Sequence, residues 1–331
     1  MTAESGIAFF DGRPVDFSDI CAIRFAVFRR ARLVVISAVF AGLAFASGVD
    51  AAKKRESSTS KRRARTGSPA AYVQEPDAPV KFQNGLSQPP LIEAKSAIVL
   101  DPRSGRVLYD KGAEIRREAA STQKLLTALL VAERGGLGDP VRVEADDTFC
   151  EPTKLGLRVG DVYRRGNLLQ ALLVKSANDV ARCLARSQSG SIESFADDMN
   201  RKAQQLGLTG SHFVNPNGLP APGQYSTARD IARIARYAYF NPTIRNIVST
   251  QTLQFQYADG RIRELKNTNK VLGANPYCNG MKTGYTNAAG HCLVASGTYN
   301  GIHVIAVVMA SRKAVWTDAN ALLNWALATQ G

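Results

Sequence analysis

Apolar residues are spread unevenly along the 331-residue chain, and each texture predicts a different element. An unbroken apolar run, LVVISAVFAGLAFA (residues 33–46), follows Arg24, Arg29, Arg30 and Arg32 and leads into small residues ending at Val49-Asp50-Ala51. A basic flank, an apolar stretch too short to span a bilayer comfortably, and small residues behind it predict an export signal with a long leading region, or an N-terminal anchor if it stays uncleaved. Residues 52–90 hold Ser, Pro and charge with few large apolar groups, so burial cannot offset the entropy of ordering them. They read as a basic tether. From Leu91 the pattern becomes globular.

AKSAIVLDPRSGRVLYDKG reads as two strands around an Asp-Pro-Arg-Ser-Gly turn. A helix opening at Ser121 and stopped by Gly135-Gly136 contains LLTALLVA, apolar on every side, which marks a helix buried in the middle of a domain. A helical region follows, NLLQALLVKSANDVARCLARS (residues 167–187) and IESFADDMNRKAQQLGL (residues 192–208), then a Pro/Gly-rich loop, NPNGLPAPGQ. Thr227-Ala-Arg-Asp230 has a helix-capping pattern and opens ARDIARIARYAYF. The C-terminal part alternates strands, GMKTGYT, HCLVASGTY and IHVIAVVMAS, and closes with the helix TDANALLNWALA. Strands at both ends with helices between predict one α+β domain over residues 91–331. Its sheet is assembled from an N-terminal hairpin and C-terminal strands around the buried helix, with a helical subregion. There is no internal repeat and no second core.

The net charge of +14 suggests nucleic acid until it is divided along the chain. Residues 1–51 carry five basic and five acidic side chains, and residues 52–90 carry eight and three. The remaining excess of nine lies on the large domain, without the aromatic interleaving that base stacking needs. No nucleic-acid partner is expected; such a basic surface serves an anionic polymer or a membrane equally well. Cleavage after Ala51 leaves Cys150, Cys183, Cys278 and Cys292, for which export permits three disulfide connectivities, all open. Cys183, in NDVARCLA, reads as a core thiol. Only Cys292 adjoins a histidine, His291, in a strand that sends neighbouring side chains to opposite faces, so no catalytic cysteine is expected. His212, His291 and His303 lack metal-ligand spacing, and nothing resembles a phosphate loop or dinucleotide fingerprint, so no metal and no cofactor are implied.

The chemistry begins at Ser121. A helix-opening serine commonly has Glu or Gln three residues on, completing a capping box, yet here the third residue is Lys124. A lysine in the first turn opposes the helix dipole, which costs a few tenths to about 1 kcal/mol. Residues i and i+3 share a helix face, so the amine reaches the hydroxyl. To accept its proton the lysine must be neutral near pH 7, a drop of about three pH units or roughly 4 kcal/mol. Burial, the helix N-terminus and a second cation all push that way, so the unfavourable position helps make Lys124 a base. The spacing alone is weak evidence, since Ser58-Thr59-Ser60-Lys61 in the tether repeats it. Two further stretches add weight: Ser176-Ala177-Asn178 after an apolar helix, and Lys282-Thr283-Gly284 opening a strand.

Ser-x-x-Lys, Ser-x-Asn and Lys-Thr-Gly in this order resemble the motifs of penicillin-binding proteins and class A β-lactamases, the latter having Asp in the middle motif. The likeness spans residues 91–327, through AIVLDPRSGRVLYDKGAE, LGLTGSHFVNPNGL, YSTARDIARIA, LKNTNKVLG and GMKTGYTNAAGHCLVAS, and is similar to the D-alanyl-D-alanine carboxypeptidases. It implies a β-lactamase/D,D-peptidase-like fold with residues 91–331 as the catalytic domain. Ser121 is implied as nucleophile, Lys124 as general base and Ser176 as proton shuttle to the leaving amine. Asn178 is implied to hold an amide carbonyl, Lys282 and Thr283 the terminal carboxylate, and Gly284 to admit the substrate backbone. The backbone N–H groups of Ser121 and Tyr285 are implied to form an oxyanion hole.

The implied activity is removal of the terminal D-alanine from peptidoglycan stem peptides in the periplasm or cell envelope, with β-lactams as acylating inhibitors. Relatives often carry a carboxylate-binding arginine before the closing helix; the matching position is Val315, leaving Arg312 or Lys313 to substitute. The chain stops at Gly331, where many relatives continue into a β-rich domain and an amphipathic anchor, so membrane attachment is expected through the N-terminal segment. A D,D-endopeptidase acting on cross-links uses the same groups, and a catalytically silent wall-binding module is the competitor from another class. A β-lactamase is disfavoured, because no glutamate-containing loop lies in the region after Ser-x-Asn where class A enzymes place their deacylating acid.

Overall fold

In a computed structural model of the chain, SAIVL forms strand β1 (Ser96–Leu100), buried at all five positions. Full burial means that both faces are covered, and, where the sequence suggested a single core, the two faces carry separate ones. Strand β2 (Val107–Lys111) returns beside it, and three long C-terminal strands, β3 (Cys278–Thr286), β4 (Gly290–Tyr299) and β5 (Ile302–Ser311), complete an antiparallel sheet in the order β2-β1-β5-β4-β3. The sheet is thus assembled from the N-terminal hairpin and C-terminal strands, as expected from the sequence, with the hairpin paired to the last strand.

The structure describes residues 88–330 and, in a separate N-terminal unit, the two-residue strands Phe9–Phe10 and Arg13–Pro14. The candidate export run and almost all of the tether lie outside the described residues. Among the described residues no helix is long and apolar enough to cross a membrane.

Side chains alternate between the faces with the period of two that strands impose. Ala97, Val99, Leu293, Ala295, Val304, Ala306 and Val308 pack against Leu322, Leu323 and Ala326 of the closing helix. Ile98, Leu100, Val294, Ile305, Val307 and Met309 join the larger core on the other face. That core holds helix α1 (Lys124–Arg134), buried along most of its length. Around it stand α2 (Arg165–Lys175), α3 (Asn178–Ser189), α4 (Ile192–Gln205) and α5 (Ala228–Phe240), with α6 (Val315–Thr329) as the closing helix. Truncating one such buried leucine, Leu126 or Leu322, to alanine costs about 2–5 kcal/mol. Helix α5 is capped as its sequence announces: Thr227 accepts the N–H of Asp230 at 3.0 Å.

Three local features depart from expectation. Ser121 does not cap the helix: Ala120–Gln123 form a 3-10 turn, α1 starts at Lys124, and no side chain caps either element. The region 167–187 is two helices meeting at Ser176, in keeping with the apolar helix placed before it, but Ser176 itself is left-handed (φ 66°, ψ 26°). Two small hairpins, Pro140–Arg142 with Val162–Arg164 and Thr252–Gln256 with Ile262–Lys266, were not legible, having one buried residue per strand. All four cysteines left open in the sequence, Cys150, Cys183, Cys278 and Cys292, are free thiols, and Cys183 is a core residue.

Candidate active site

The site is built where the 3-10 turn meets strand β3 and the junction of α2 and α3. Releasing Ser121 from capping turns its hydroxyl toward the side chain one turn along the chain. Lys124 Nζ stands 2.7 Å from Ser121 Oγ, 2.8 Å from Asn178 Oδ1 and 2.6 Å from the carbonyl of Asn217. A neutral amine donates two hydrogen bonds and accepts one, so these three partners satisfy it when Ser121 supplies the third proton. Lys124 is completely buried, and burial first, then the charge of Lys282, hold its pKa well below its ordinary value, against the opposing pull of Cys150 and Asp179.

The loop beneath Ser121 comes from NPNG (residues 215–218). Gln123 Nε2 donates to the carbonyl of Asn215 at 2.7 Å and Thr127 Oγ1 to that of Pro216 at 2.7 Å. Gly218 has φ 78°, and a Cβ there would lie 2.0 Å from the carbonyl oxygen of Ala120, so no larger residue fits against the turn.

The left-handed turn at Ser176 brings its hydroxyl to Lys282, whose Nζ donates to Ser176 Oγ at 2.8 Å and to the carbonyl of Thr283 at 2.9 Å. Lys282 is also fully buried, and burial brings its pKa down to about 7. At the start of α3, Asn178 Nδ2 donates to the carbonyls of Glu151 and Pro152 at 3.1 and 3.0 Å. The next residue, Asp179, accepts the backbone N–H groups of Leu155, Gly156 and Leu157 at 2.9, 2.8 and 3.1 Å. One helix N-terminus therefore pins the segment 151–157 over the site.

Strand β3 passes so close to the 3-10 turn that a Cβ on Gly284 would lie 2.8 Å from Ser121 N and 3.0 Å from Thr122 N. Next to it Thr283 Oγ1 pairs with Thr268 Oγ1 at 2.7 Å. Tyr285 is 56% exposed, and its ring lies on that of His291 with centroids 4.4 Å apart. These groups line a cavity of about 410 Å³ shared by Ser121, Ser176, Asn178, Thr283, Gly284 and Tyr285 together with Pro152, Thr153, Lys175, Leu219, Thr268, His291, Cys292, Val315 and Trp316. Such a volume suits a small ligand or a peptide terminus.

The eight residues singled out in the sequence meet here, with Lys124 and Lys282 beneath the lining rather than in it. A buried lysine within hydrogen-bond reach of a half-buried serine hydroxyl is the arrangement of an activated nucleophile. Neither Arg312 nor Lys313 lines the cavity: both are exposed, and their backbone N–H groups bind Glu93. The position they were expected to replace, Val315, is buried in the cavity wall. Cys292 lines the cavity with its thiol pushed up to about 11 by burial, a protonated apolar group. Lys175, Asn217, Thr268, His291 and Trp316 were not singled out as site residues, and no local motif marks them.

Residues 83–313 match a family described as D-alanyl-D-alanine carboxypeptidase. The D-alanyl-D-alanine carboxypeptidase DacF of Bacillus subtilis is 34% identical over 221 residues, covering 65% of this chain and 57% of the relative, so the chain spans less than two thirds of that protein's length. DacB2 of Mycobacterium tuberculosis, a D-alanyl-D-alanine carboxypeptidase, is 32% identical over 267 residues, 78% of this chain and 86% of the relative. Among solved structures, the Streptomyces K15 DD-transpeptidase superposes with a TM-score of 0.69 at 32% identity, covering 73% of this chain and 99% of that one.

Proposed function

The chain belongs to the D-alanyl-D-alanine carboxypeptidase family, and on that footing we propose that it is an exported serine-type D-Ala-D-Ala carboxypeptidase that trims peptidoglycan stem peptides through an acyl-enzyme on Ser121. The observation that carries this reading is the fully buried Lys124 amine 2.7 Å from Ser121 Oγ. As Ser121 Oγ attacks the carbonyl of the penultimate D-alanine, its proton passes to Lys124 Nζ, a general-base step worth about 10²- to 10⁴-fold. The backbone N–H groups of Ser121 and Tyr285 receive the oxyanion, contributing a few kcal/mol. Ser176, linked to Lys282, carries the proton to the leaving nitrogen, and D-alanine departs. Water then attacks the acyl carbon with the same base and releases the shortened peptide and Ser121.

Asn178 orients the donor amide, Lys282 and Thr283 meet the terminal carboxylate, and Gly284 leaves room for the substrate backbone along β3. β-Lactams acylate Ser121 as substrate mimics. Residues 1–51 serve export or anchoring at the membrane, residues 52–90 act as a basic tether, and residues 91–331 form the catalytic domain in the cell envelope. A second reading, endopeptidase cleavage of cross-links, is favoured by the apolar wall of Val315 and Trp316, which offers no charge to a free carboxylate.

The test is D-alanine release from a peptide ending in D-Ala-D-Ala by the full chain and by Ser121→Ala. Release by the first and none by the second is expected. No release by a folded wild-type protein that cleaves a cross-linked dimer instead selects the second reading.

A further inference from the structure

The cavity contains one cation that the chemistry above does not use. Lys175, the last residue of α2, lines it half-buried and makes no hydrogen bond or ion pair with the described residues. The other nearby ammonium groups are engaged. Lys124 has three partners and Lys282 two, and Lys270 lies over the ring of Trp316, 5.7 Å from its centroid. With its pKa near 7, Lys282 is only part-charged at neutral pH.

Two threonines, Thr268 and Thr283, line the same cavity as Lys175. The carbonyl of its neighbour Val174 accepts the N–H of Thr268 at 3.3 Å, which brings the end of α2 beside Thr268. Thr268 Oγ1 in turn pairs with Thr283 Oγ1 at 2.7 Å. Of two hydroxyls sharing one hydrogen bond, one proton stays free to donate to an incoming oxygen. A hydroxyl pair with a proton to spare, lining the same cavity as a half-buried ammonium that has no partner among the described residues, fits a carboxylate better than a neutral group.

Resting on the carboxypeptidase reading, we infer that Lys175, with the Thr268–Thr283 hydroxyl pair, reads the free C-terminal carboxylate of the leaving residue and sets the preference for a free terminus over a capped or cross-linked one.

The experiment measures kcat/KM of the full chain and of Lys175→Gln and Lys175→Arg on a peptide ending in D-Ala-D-Ala and on its C-terminal carboxamide. In Lys175→Gln the ratio of free acid to amide falls about tenfold, as for loss of one charge-assisted hydrogen bond, and falls through KM. Lys175→Arg keeps the ratio. In the wild-type protein added salt raises KM for the free acid and leaves that for the amide unchanged, a readout that does not depend on any variant folding. An unmoved ratio in a Lys175→Gln protein of wild-type Tm, an equal fall on both substrates, or a salt-insensitive wild type overturns the inference while leaving the carboxypeptidase reading intact. Failure of the wild type to turn over either peptide, with no acylation of Ser121 by a β-lactam, overturns both.

Discussion

Replacing Lys282 with methionine is expected to make the protein more stable and less active, and the gain should depend on pH in a way only a buried titrating amine explains. Lys282 is fully buried and its pKa lies at about 7 instead of the ordinary 10.5. Above pH 10.5 the amine is neutral folded and unfolded, and its ionisation has no effect on stability. Between 10.5 and 7 the unfolded chain holds a proton that the folded one refuses, so stability falls as pH falls; below 7 the full penalty is present. At about 1.36 kcal/mol per pKa unit the penalty is roughly 4 kcal/mol at pH 7 and about 1 kcal/mol at pH 9.5. Methionine removes it but leaves Ser176 Oγ without its donor, a pH-independent loss of about 1–3 kcal/mol. The variant should therefore exceed the wild type by about 1–3 kcal/mol at pH 7, and the difference should move toward the wild type by about 3 kcal/mol by pH 9.5. Loss of the Lys282 charge also lets the Lys124 pKa rise, which acts in the same sense. Urea unfolding of both proteins at the two pH values measures this, because the titrating groups other than Lys282 and Lys124 cancel in the difference. Parallel pH profiles would refute the reasoning and show that Lys282 is charged in the folded protein.

Lys124→Arg should abolish acylation of Ser121, with a loss of at least about 10³-fold, because a guanidinium cannot accept the serine proton; labelling by a fluorescent penicillin measures it. In the wild-type protein the acylation rate should rise with pH as Lys124 deprotonates, with a midpoint well below 10.5, in keeping with the burial that lowers its pKa; a midpoint near 10 in stopped-flow acylation would exclude it as the base. Gly284→Ala puts a Cβ 2.8 Å from Ser121 N, so β3 or the nucleophile turn must move; a fall of about 10²-fold in acylation is expected, as for a displacement of about 1 Å at a reacting group. Gly273→Ala, whose Cβ meets nothing closer than 3.9 Å, should leave acylation as it is.

The elements that were easiest to read in the sequence are those whose burial is complete. SAIVL and IHVIAVVMAS are apolar because both faces are covered, and LLTALLVA because α1 is enclosed by helices and sheet. The small hairpins bury one side chain per strand and leave almost no pattern. The site divides in the same way. Serine, lysine and asparagine side chains at fixed spacing stand out, whereas Asn217 reaches Lys124 through its backbone carbonyl, which any residue supplies. Thr268 and Lys175 matter because separate segments meet, and no local window contains that fact. The left-handed turn at Ser176 was hidden for a related reason, since serine has no preference for positive φ and only tertiary packing imposes it.

Backbone conformation also explains how two lysines come to be buried beneath one cavity. Three non-glycine residues with positive φ sit at the motifs themselves: Ala120 at 48° just before Ser121, Ser176 at 66°, and Met281 at 98° just before Lys282. Each such conformation costs on the order of 1–3 kcal/mol and survives only where the surroundings over-determine it. At Ala120 the surroundings are Gly218 and Gly284, which crowd the turn from two sides. At Ser176 the unwinding of α2 presents the hydroxyl to Lys282, and α3 restarts in time to place Asn178 on Lys124. The strained positions lie next to the buried lysines in sequence or in contact, and Ala120 and Met281 belong to the larger core on one face of the sheet. Burial is the first cause of the lowered pKa at both Lys124 and Lys282, so the close packing that enforces these turns is also what keeps the two amines away from water.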